Sequence, residues 1–124
     1  MRKTFLQLLF VSVTMAATGA LAHGDGKPLY GGIMQMVDDL SFELVVKADS
    51  AELYLGDHGE KVLSAGKSGK LTILSGGNKS EAKLEAAGAD KLLAKGVKIV
   101  KGDKVIALIT YPDNRTASVR FVIK

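Results

Sequence analysis

Residues 116–124 read TASVRFVIK, and this stretch has the clearest pattern in the chain. Every second residue is apolar, as in a strand that buries one face and exposes the other. The apolar set is Ala117, Val119, Phe121 and Ile123. The same alternation recurs earlier in the chain, in the sets Phe42, Leu44 and Val46; Leu53 and Leu55; Leu71 and Ile73; and Val105, Ala107, Ile109 and Tyr111. The pattern predicts a domain built from β-strands.

Turn signals separate these strands at intervals of about 8 to 12 residues, which is the spacing of an all-β domain. They are Asp38-Asp39, Ala48-Asp49-Ser50, Asp57-His58-Gly59, Lys67-Ser68-Gly69, Gly76-Gly77-Asn78, Gly102-Asp103 and Pro112-Asp113-Asn114. Short strands at this spacing, in a domain of about 100 residues, predict an immunoglobulin-like antiparallel β-sandwich of about seven strands.

Residues 80–95 (SEAKLEAAGADKLLAK) fit this scheme least well, because they are rich in good helix formers. However, Gly88 lies in the middle of the segment, and apolar residues alternate with polar ones on both sides of it. A hairpin that turns near Gly88 is therefore favoured, and a helix remains the alternative.

The start of the chain has the features of a secretory signal peptide. Arg2 and Lys3 precede a mostly apolar run at 5–13, and Ala20-Leu21-Ala22 is a small-x-small cleavage pattern. Cleavage after Ala22 would leave 23–124 as a single periplasmic domain with a flexible N-terminal arm, 23–30. The apolar run is shorter than the roughly 20 residues of a membrane span, so we expect no membrane insertion after cleavage. Cleavage after Ala20 is the alternative.

The composition of the chain argues against several classes of site and function. The chain has no cysteine, which excludes disulfides and thiolate metal sites. Its net charge of +4 includes Arg2 and Lys3, and the other 15 basic residues against 13 acidic ones leave +2. The basic residues are scattered and not interleaved with aromatics, so we expect no nucleic-acid binding. No catalytic motif is present, and we expect no enzyme.

Two histidines lie in the proposed mature chain, at 23 and 58. As the first residue, His23 would offer an α-amine and an imidazole, and His58 would add a third nitrogen. Such a set suits Cu(II), with zinc less favoured. Asp25 or Asp57 could supply an oxygen ligand. Histidine binds metal when neutral, so we expect affinity to fall below about pH 6. Without a metal, His58 would be a turn residue that tolerates unusual backbone angles.

Two methionines are further candidate ligands. Met34 and Met36 are two residues apart and therefore share one face of a predicted strand. Thioethers are soft ligands that favour Cu(I). Methionine is also a common filler of hydrophobic cores, and core packing of both side chains is the favoured interpretation, with a ligand role as the alternative.

Three short motifs carry a family resemblance. They are His23-Gly24-x-x-Lys27-Pro28-Leu29-x-Gly31-Gly32, Asp39-x-x-x-Glu43-Leu44-Val45 and Leu53-Tyr54-Leu55-x-Asp57-His58-Gly59. Together they resemble a group of small exported proteobacterial proteins and a stretch of the periplasmic adaptor subunits of heavy-metal efflux pumps. More distantly, an N-terminal histidine on a small cysteine-free β-domain is similar to periplasmic copper-resistance proteins. The resemblance implies Cu(II) binding by His23, with His58 as the second histidine.

The sequence thus predicts a periplasmic metal-binding accessory protein, with copper favoured and His23, His58, Asp25, Met34 and Met36 as candidate ligands. Its expected partner is a metal-efflux or copper-handling protein. The main alternative is a metal-free periplasmic module for protein–protein contact. Lytic polysaccharide monooxygenases also begin with a metal-binding histidine, but this chain lacks an evident aromatic platform for a polysaccharide.

Overall fold

The computed structural model describes residues 27–124, and these form nine β-strands and no helix. The strands are β1 (Ile33–Val37), β2 (Leu40–Val46), β3 (Ser50–Asp57), β4 (Glu60–Lys61), β5 (Ser68–Ser75), β6 (Asn78–Ala86), β7 (Lys91–Lys95), β8 (Lys104–Thr110) and β9 (Thr116–Val122). Within this part of the chain, no helix is present that could span a membrane. The proposed signal peptide, His23 and Asp25 lie outside the described residues.

All strands belong to one antiparallel sheet, in the order β1-β2-β3-β7-β6-β5-β8-β9, and the short β4 pairs with β3. The sheet curls until β1 approaches β9, so it is nearly closed. The predicted all-β antiparallel class is confirmed, but a sandwich of seven strands is not. The pairing of β6 with β7, through Glu85↔Leu93 and Ala86↔Leu92, joins the two halves into a continuous sheet of nine strands.

The core fills the inside of this curled sheet. The predicted inward-facing residues that are buried there are Phe42, Leu44, Leu53, Leu55, Leu71, Ile73, Val105, Ala107, Ile109, Val119, Phe121 and Ile123. Val46, Tyr111 and Ala117, also predicted to face inward, are partly buried against them. Each large apolar side chain buried in this way contributes about 1.5–3 kcal/mol to stability. Period-two alternation therefore locates the core correctly.

The segment 80–95 forms the hairpin of β6 and β7, and the helical alternative is wrong for it. Gly88 adopts φ +100°, a conformation that glycine reaches without a steric penalty. The Ala87 N–H donates to the Lys91 carbonyl at 2.9 Å and closes the loop. The helix formers of this segment yield to strand pairing, which buries Leu84 and Leu92 in the core.

Two tight turns lie side by side at one end of the sheet. Asp38 and Asp39 join β1 to β2, and His58 and Gly59 join β3 to β4. All four residues have positive φ, between 51° and 84°, as two-residue hairpin turns of the I′ type require. The β2–β3 register pairs the first residue of β2 with Asp57, so both turns project from the same end. His58 is a turn residue, as predicted.

Gly31 and Gly32 let the chain cross the outer face of the sheet before β1 begins. Gly31 has φ +79°. A Cβ on Gly32 would lie 2.2 Å from the Leu44 carbonyl oxygen, so only glycine fits at this close approach. This pair of glycines carries the preceding residues over β2 and β3.

Candidate functional site

A groove of about 560 Å³ lies on the outer face of β1, β2 and β3, next to the β3–β4 turn. Met34, Met36 and His58 all line it. Lys27, the first described residue, lines it as well. Three of the five candidate ligands, the neighbouring Met34 and Met36 and the distant His58, thus share one surface.

The floor of the groove is open because its central residues are small. Register pairs Met36 with Ser41, Ser41 with Gly56, and Gly56 with Lys61 across β1, β2, β3 and β4. A Cβ at Gly56 would lie 2.5 Å from Ser41 Oγ, so a side chain at position 56 would clash with the one at position 41. The row therefore leaves space between the Met36 thioether and the end of the sheet that carries His58.

In the neighbouring row of paired residues, a buried carboxylate occupies the central position. Glu43, which register places between Met34 and Tyr54, is only 2% exposed. Its Oε1 accepts the Leu29 N–H at 2.8 Å, and its Oε2 accepts the N–H groups of Tyr30 at 2.9 Å and Gly32 at 2.7 Å. These charge-assisted bonds offset the loss of hydration of the carboxylate. They also fasten the 29–32 segment over β2.

A stacked pair of tyrosines forms a second attachment of the same segment. The rings of Tyr30 and Tyr54 are 3.8 Å apart and inclined by 17°. Lys91 Nζ lies 5.6 Å from the Tyr54 ring and bonds Glu52 Oε2 at 2.8 Å. The hydrogen bond from Lys91 holds the pKa of Glu52 below its usual value, and burial raises the pKa of Tyr54. The stack and the Lys91–Glu52 ion pair both contact Tyr54, which lines this side of the groove.

His58 has one ring nitrogen fixed and the other available. Its Nδ1 lies 2.7 Å from Asp57 Oδ1. An ionised carboxylate only accepts hydrogen bonds, so the neutral imidazole carries its proton on Nδ1 and leaves the Nε2 lone pair free. The same carboxylate–histidine arrangement orients the histidine ligands of many metal sites. Asp57, a candidate oxygen ligand in the sequence, thus acts as the hydrogen-bond partner of His58.

Met34 and Met36 face the groove and not the core. Their neighbours Ile33 and Val37 pack against the core from the opposite face of β1. Met36 is 39% exposed. The favoured interpretation, in which both methionines fill the core, is therefore wrong, and their sulfur atoms belong to the groove surface.

Sequence analysis missed Glu43 and Asp90. Both of these acidic residues are buried, Asp90 to 8% exposure, and both line the groove. The one available signal for Glu43 was its place in the motif that begins at Asp39.

The carboxylate and imidazole groups of residues 27–124 do not form a complete metal site by themselves. In that range, no group of three or more His, Asp or Glu side chains is arranged to hold an ion. His58 and the two thioethers are the donors that the groove brings together, while His23 and Asp25 precede the described part. A comparison with family models, curated proteins and solved structures finds no match for this chain.

Proposed function

We propose that this protein is an exported copper-binding accessory protein that holds the ion in the groove between His58, Met34 and Met36. The N-terminal His23 completes the site. The observation that supports the proposal best is the shared groove. Two thioethers from β1 and the imidazole of the β3–β4 turn, which have the chemistry of copper ligands, line one surface.

The strand spacing would let the side chains of Met36 and His58 approach one ion. Gly56 is two strands away from Met36, a distance of about 10 Å at the usual strand spacing, and His58 follows two residues later. Methionine and histidine side chains each extend several ångströms from the backbone. The small residues Ser41 and Gly56 leave the space between them unfilled.

The N-terminus lies within reach of the same groove. His23 precedes Lys27 by four residues, and an extended chain spans up to about 3.3–3.6 Å per residue. Residues 23–26 are therefore long enough to span up to about 13–14 Å from Lys27, which lines the groove. Cleavage after Ala22 is required, because only then does His23 carry a free amine.

The donor set favours copper over other metals. Thioethers select Cu(I), and imidazole with an amine suits Cu(II), whereas zinc in proteins rarely uses thioether ligands. The protein would buffer copper in the periplasm or deliver it to an efflux or copper-handling partner. The rival function, a metal-free module for protein contacts, would use the exposed Leu29 and Met36 of the same surface.

Copper titration of the mature protein tests the proposal. The protein is purified from the periplasm, His23 is verified as the first residue by mass spectrometry, and Cu(II) binding is followed by EPR. We expect nitrogen-rich axial signals and at least tenfold weaker binding after His58→Ala. The matched control is Asn114→Ala, which changes another turn residue of positive φ away from the groove.

Two outcomes would contradict the proposal. One is copper binding that is equally strong in a form with an extra N-terminal Met before His23. The other is a lack of copper binding by the mature protein, which would favour the metal-free module.

A further inference from the structure

We propose that one end of the sheet is a docking surface for an anionic phospholipid membrane. This end lies at the start of β8 and the end of β9, together with the connection 96–103 that precedes β8. Binding there would need no copper. The surface, called the basic end below, consists of seven exposed residues: Lys98, Val100, Lys101, Lys104, Arg120, Val122 and Lys124.

Backbone hydrogen bonds hold the connection against the end of β9. The Asp103 N–H donates to the Val100 carbonyl at 3.0 Å and closes a tight turn that contains Lys101. The Gly102 N–H donates to the Ile123 carbonyl at 2.7 Å, and the Ile123 N–H donates to the Asp103 carbonyl at 2.9 Å. The turn and the end of β9 therefore form one continuous surface.

The cationic side chains of this surface have no acidic partner. Register pairs Lys104 with Val122, and Arg120 lies two residues earlier on the same outward face of β9. Among residues 27–124, none of the five cations of the basic end forms an ion pair. Asp103, the acidic residue of the turn, is only 4% exposed, and its Oδ2 accepts the Val100 N–H at 2.9 Å. The basic end thus presents positive charge that no ion pair neutralises.

The two ends of the sheet differ in charge. Near the basic end, the exposed Asp49 of the β2–β3 turn is outnumbered by lysines. At the opposite end, the β1–β2 and β3–β4 turns carry exposed Asp38, Asp39 and Glu60. The eight residues of β3 separate the ends by about 23 Å. An anionic membrane would attract one end and repel the other, so the groove beside His58 would stay open to solvent.

Two exposed valines favour a membrane over an acidic protein or a nucleic acid. Val100 is 56% exposed and Val122 is 52% exposed, whereas the neighbouring Ile99 and Ile123 are buried. Binding at a membrane surface combines apolar contact with attraction of cationic side chains to anionic headgroups. An acidic macromolecule would need only the charges. Single-stranded nucleic acid would also call for aromatic side chains that stack on bases, and the basic end contains none.

Sedimentation with lipid vesicles tests the proposal. The purified protein is mixed with vesicles of equal parts phosphatidylglycerol and phosphatidylcholine and, in parallel, with vesicles of phosphatidylcholine alone. We expect binding to the anionic vesicles only, and weaker binding in high salt, which screens charges at the surface. A protein that does not sediment with the anionic vesicles, or that sediments equally with both kinds, overturns the proposal.

A triple variant measures the part that the lysines play. It removes three charges of the basic end through Lys101→Gln, Lys104→Gln and Lys124→Gln. Each lysine near an anionic surface contributes about fivefold to the binding constant, or about 1 kcal/mol, so we expect affinity to fall about a hundredfold.

The matched control removes three exposed cations outside this surface, through Lys70→Gln, Lys83→Gln and Arg115→Gln. Its net charge equals that of the first variant, but it should keep most of its affinity for the vesicles. Equal losses in the two variants would show that net charge alone drives binding, and they would overturn the assignment to the basic end.

The valines distinguish a membrane from an acidic macromolecule. Val100→Ser combined with Val122→Ser keeps every charge and opens no core cavity, because both side chains are exposed. We expect severalfold weaker binding to anionic vesicles and unchanged binding to polyglutamate. Leu63→Ser is the control, since Leu63 is 65% exposed on the β4–β5 connection and should not affect either measurement. Vesicle binding that the valine pair leaves unchanged would assign the basic end to an acidic macromolecule and overturn the membrane proposal.

Discussion

The β5–β6 hairpin and the β1–β3 surface use the outer face of the same sheet in opposite ways. On β6 the outward residues are charged and exposed, and they form ion pairs such as Lys70–Glu81 at 3.3 Å and Lys83–Glu85 at 3.7 Å. On β1–β3 the corresponding positions carry methionine, tyrosine, glycine and the buried Glu43. On β6 the outer face is covered by solvated, charged side chains. On β1–β3 it is partly covered by residues 29–32.

The turns do not show this difference in their backbone. Asn114 of the β8–β9 turn has φ 71° and His58 of the β3–β4 turn has φ 53°, and both residue types tolerate positive φ. A site often departs from the local rules that the rest of a fold obeys. The groove surface departs from them in its strand faces, which supports the assignment of function to this side.

The largest expected effect is a loss of stability, and it should differ between a core residue and a groove residue. Leu71→Ala removes a fully buried side chain of β5 and should destabilise the fold by about 2–5 kcal/mol. Met34→Ala should cost less, about 1 kcal/mol or below, because Met34 lies at the groove and not in the core. Chemical denaturation measures both. The comparison breaks if Met34→Ala is the more destabilising change, or if it leaves copper affinity intact.

Two glycines provide a matched pair of the next size. A Cβ at Gly69 would lie 2.1 Å from the Leu108 carbonyl oxygen, and at Gly32 it would lie 2.2 Å from that of Leu44. Each change to alanine should destabilise the protein by about 1–3 kcal/mol through overpacking. Only Gly32→Ala should weaken Cu(II) binding in the folded protein, as titration would show. Equal loss of affinity in both variants would mean that the arm has no special role.

His58 is expected to contribute to copper binding and to make its turn less stable than asparagine would. His58→Asn gives the turn an Asn-Gly pair, the strongest sequence signal for this hairpin type, and should raise stability by about 0.5 kcal/mol. The same change should lower copper affinity at least tenfold. Denaturation and titration of the one variant test both effects. A variant that binds copper as well as the wild type would remove His58 from the site.

The smallest expected effect is a loss of stability at acid pH. The Lys91 hydrogen bond keeps the pKa of Glu52 below its usual 4.5, so its stabilising contribution is present above about pH 4.5 and is lost as pH falls through the lowered pKa. For a pair near the surface this contribution is about 1 kcal/mol or less. Copper affinity should fall below about pH 6, because histidine binds metal only when neutral. Circular dichroism and EPR over one pH series should therefore show two separate transitions, and Glu52→Gln should flatten only the lower one.

The sequence predicts the inward faces of this fold better than its closure. Alternation is a local property, and it identified core residues such as Leu53, Val105 and Phe121 correctly. Closure depends on pairs such as Glu85↔Leu93 and on the approach of β1 to β9, which no local pattern contains. The count of about seven strands fell short because short or polar strands such as β4 carry little alternation.

The candidate site shows the same limit. Ligand chemistry was sufficient to select His58, Met34 and Met36, and the groove brings them together. Glu43 was missed because a glutamate between Phe42 and Leu44 is typical of a solvent-facing strand position. It becomes buried only because a segment 11 to 14 residues earlier folds over it.

X-ray absorption of the copper-loaded mature protein tests the central claim most directly, because it identifies the atoms bound to the ion. The account predicts nitrogen from histidine together with sulfur at thioether distance in the reduced Cu(I) form. The sulfur signal should disappear in a Met34→Leu, Met36→Leu double variant, and one nitrogen should disappear in His58→Ala. A copper ion surrounded by nitrogen and oxygen alone, unchanged in both variants, would contradict the account.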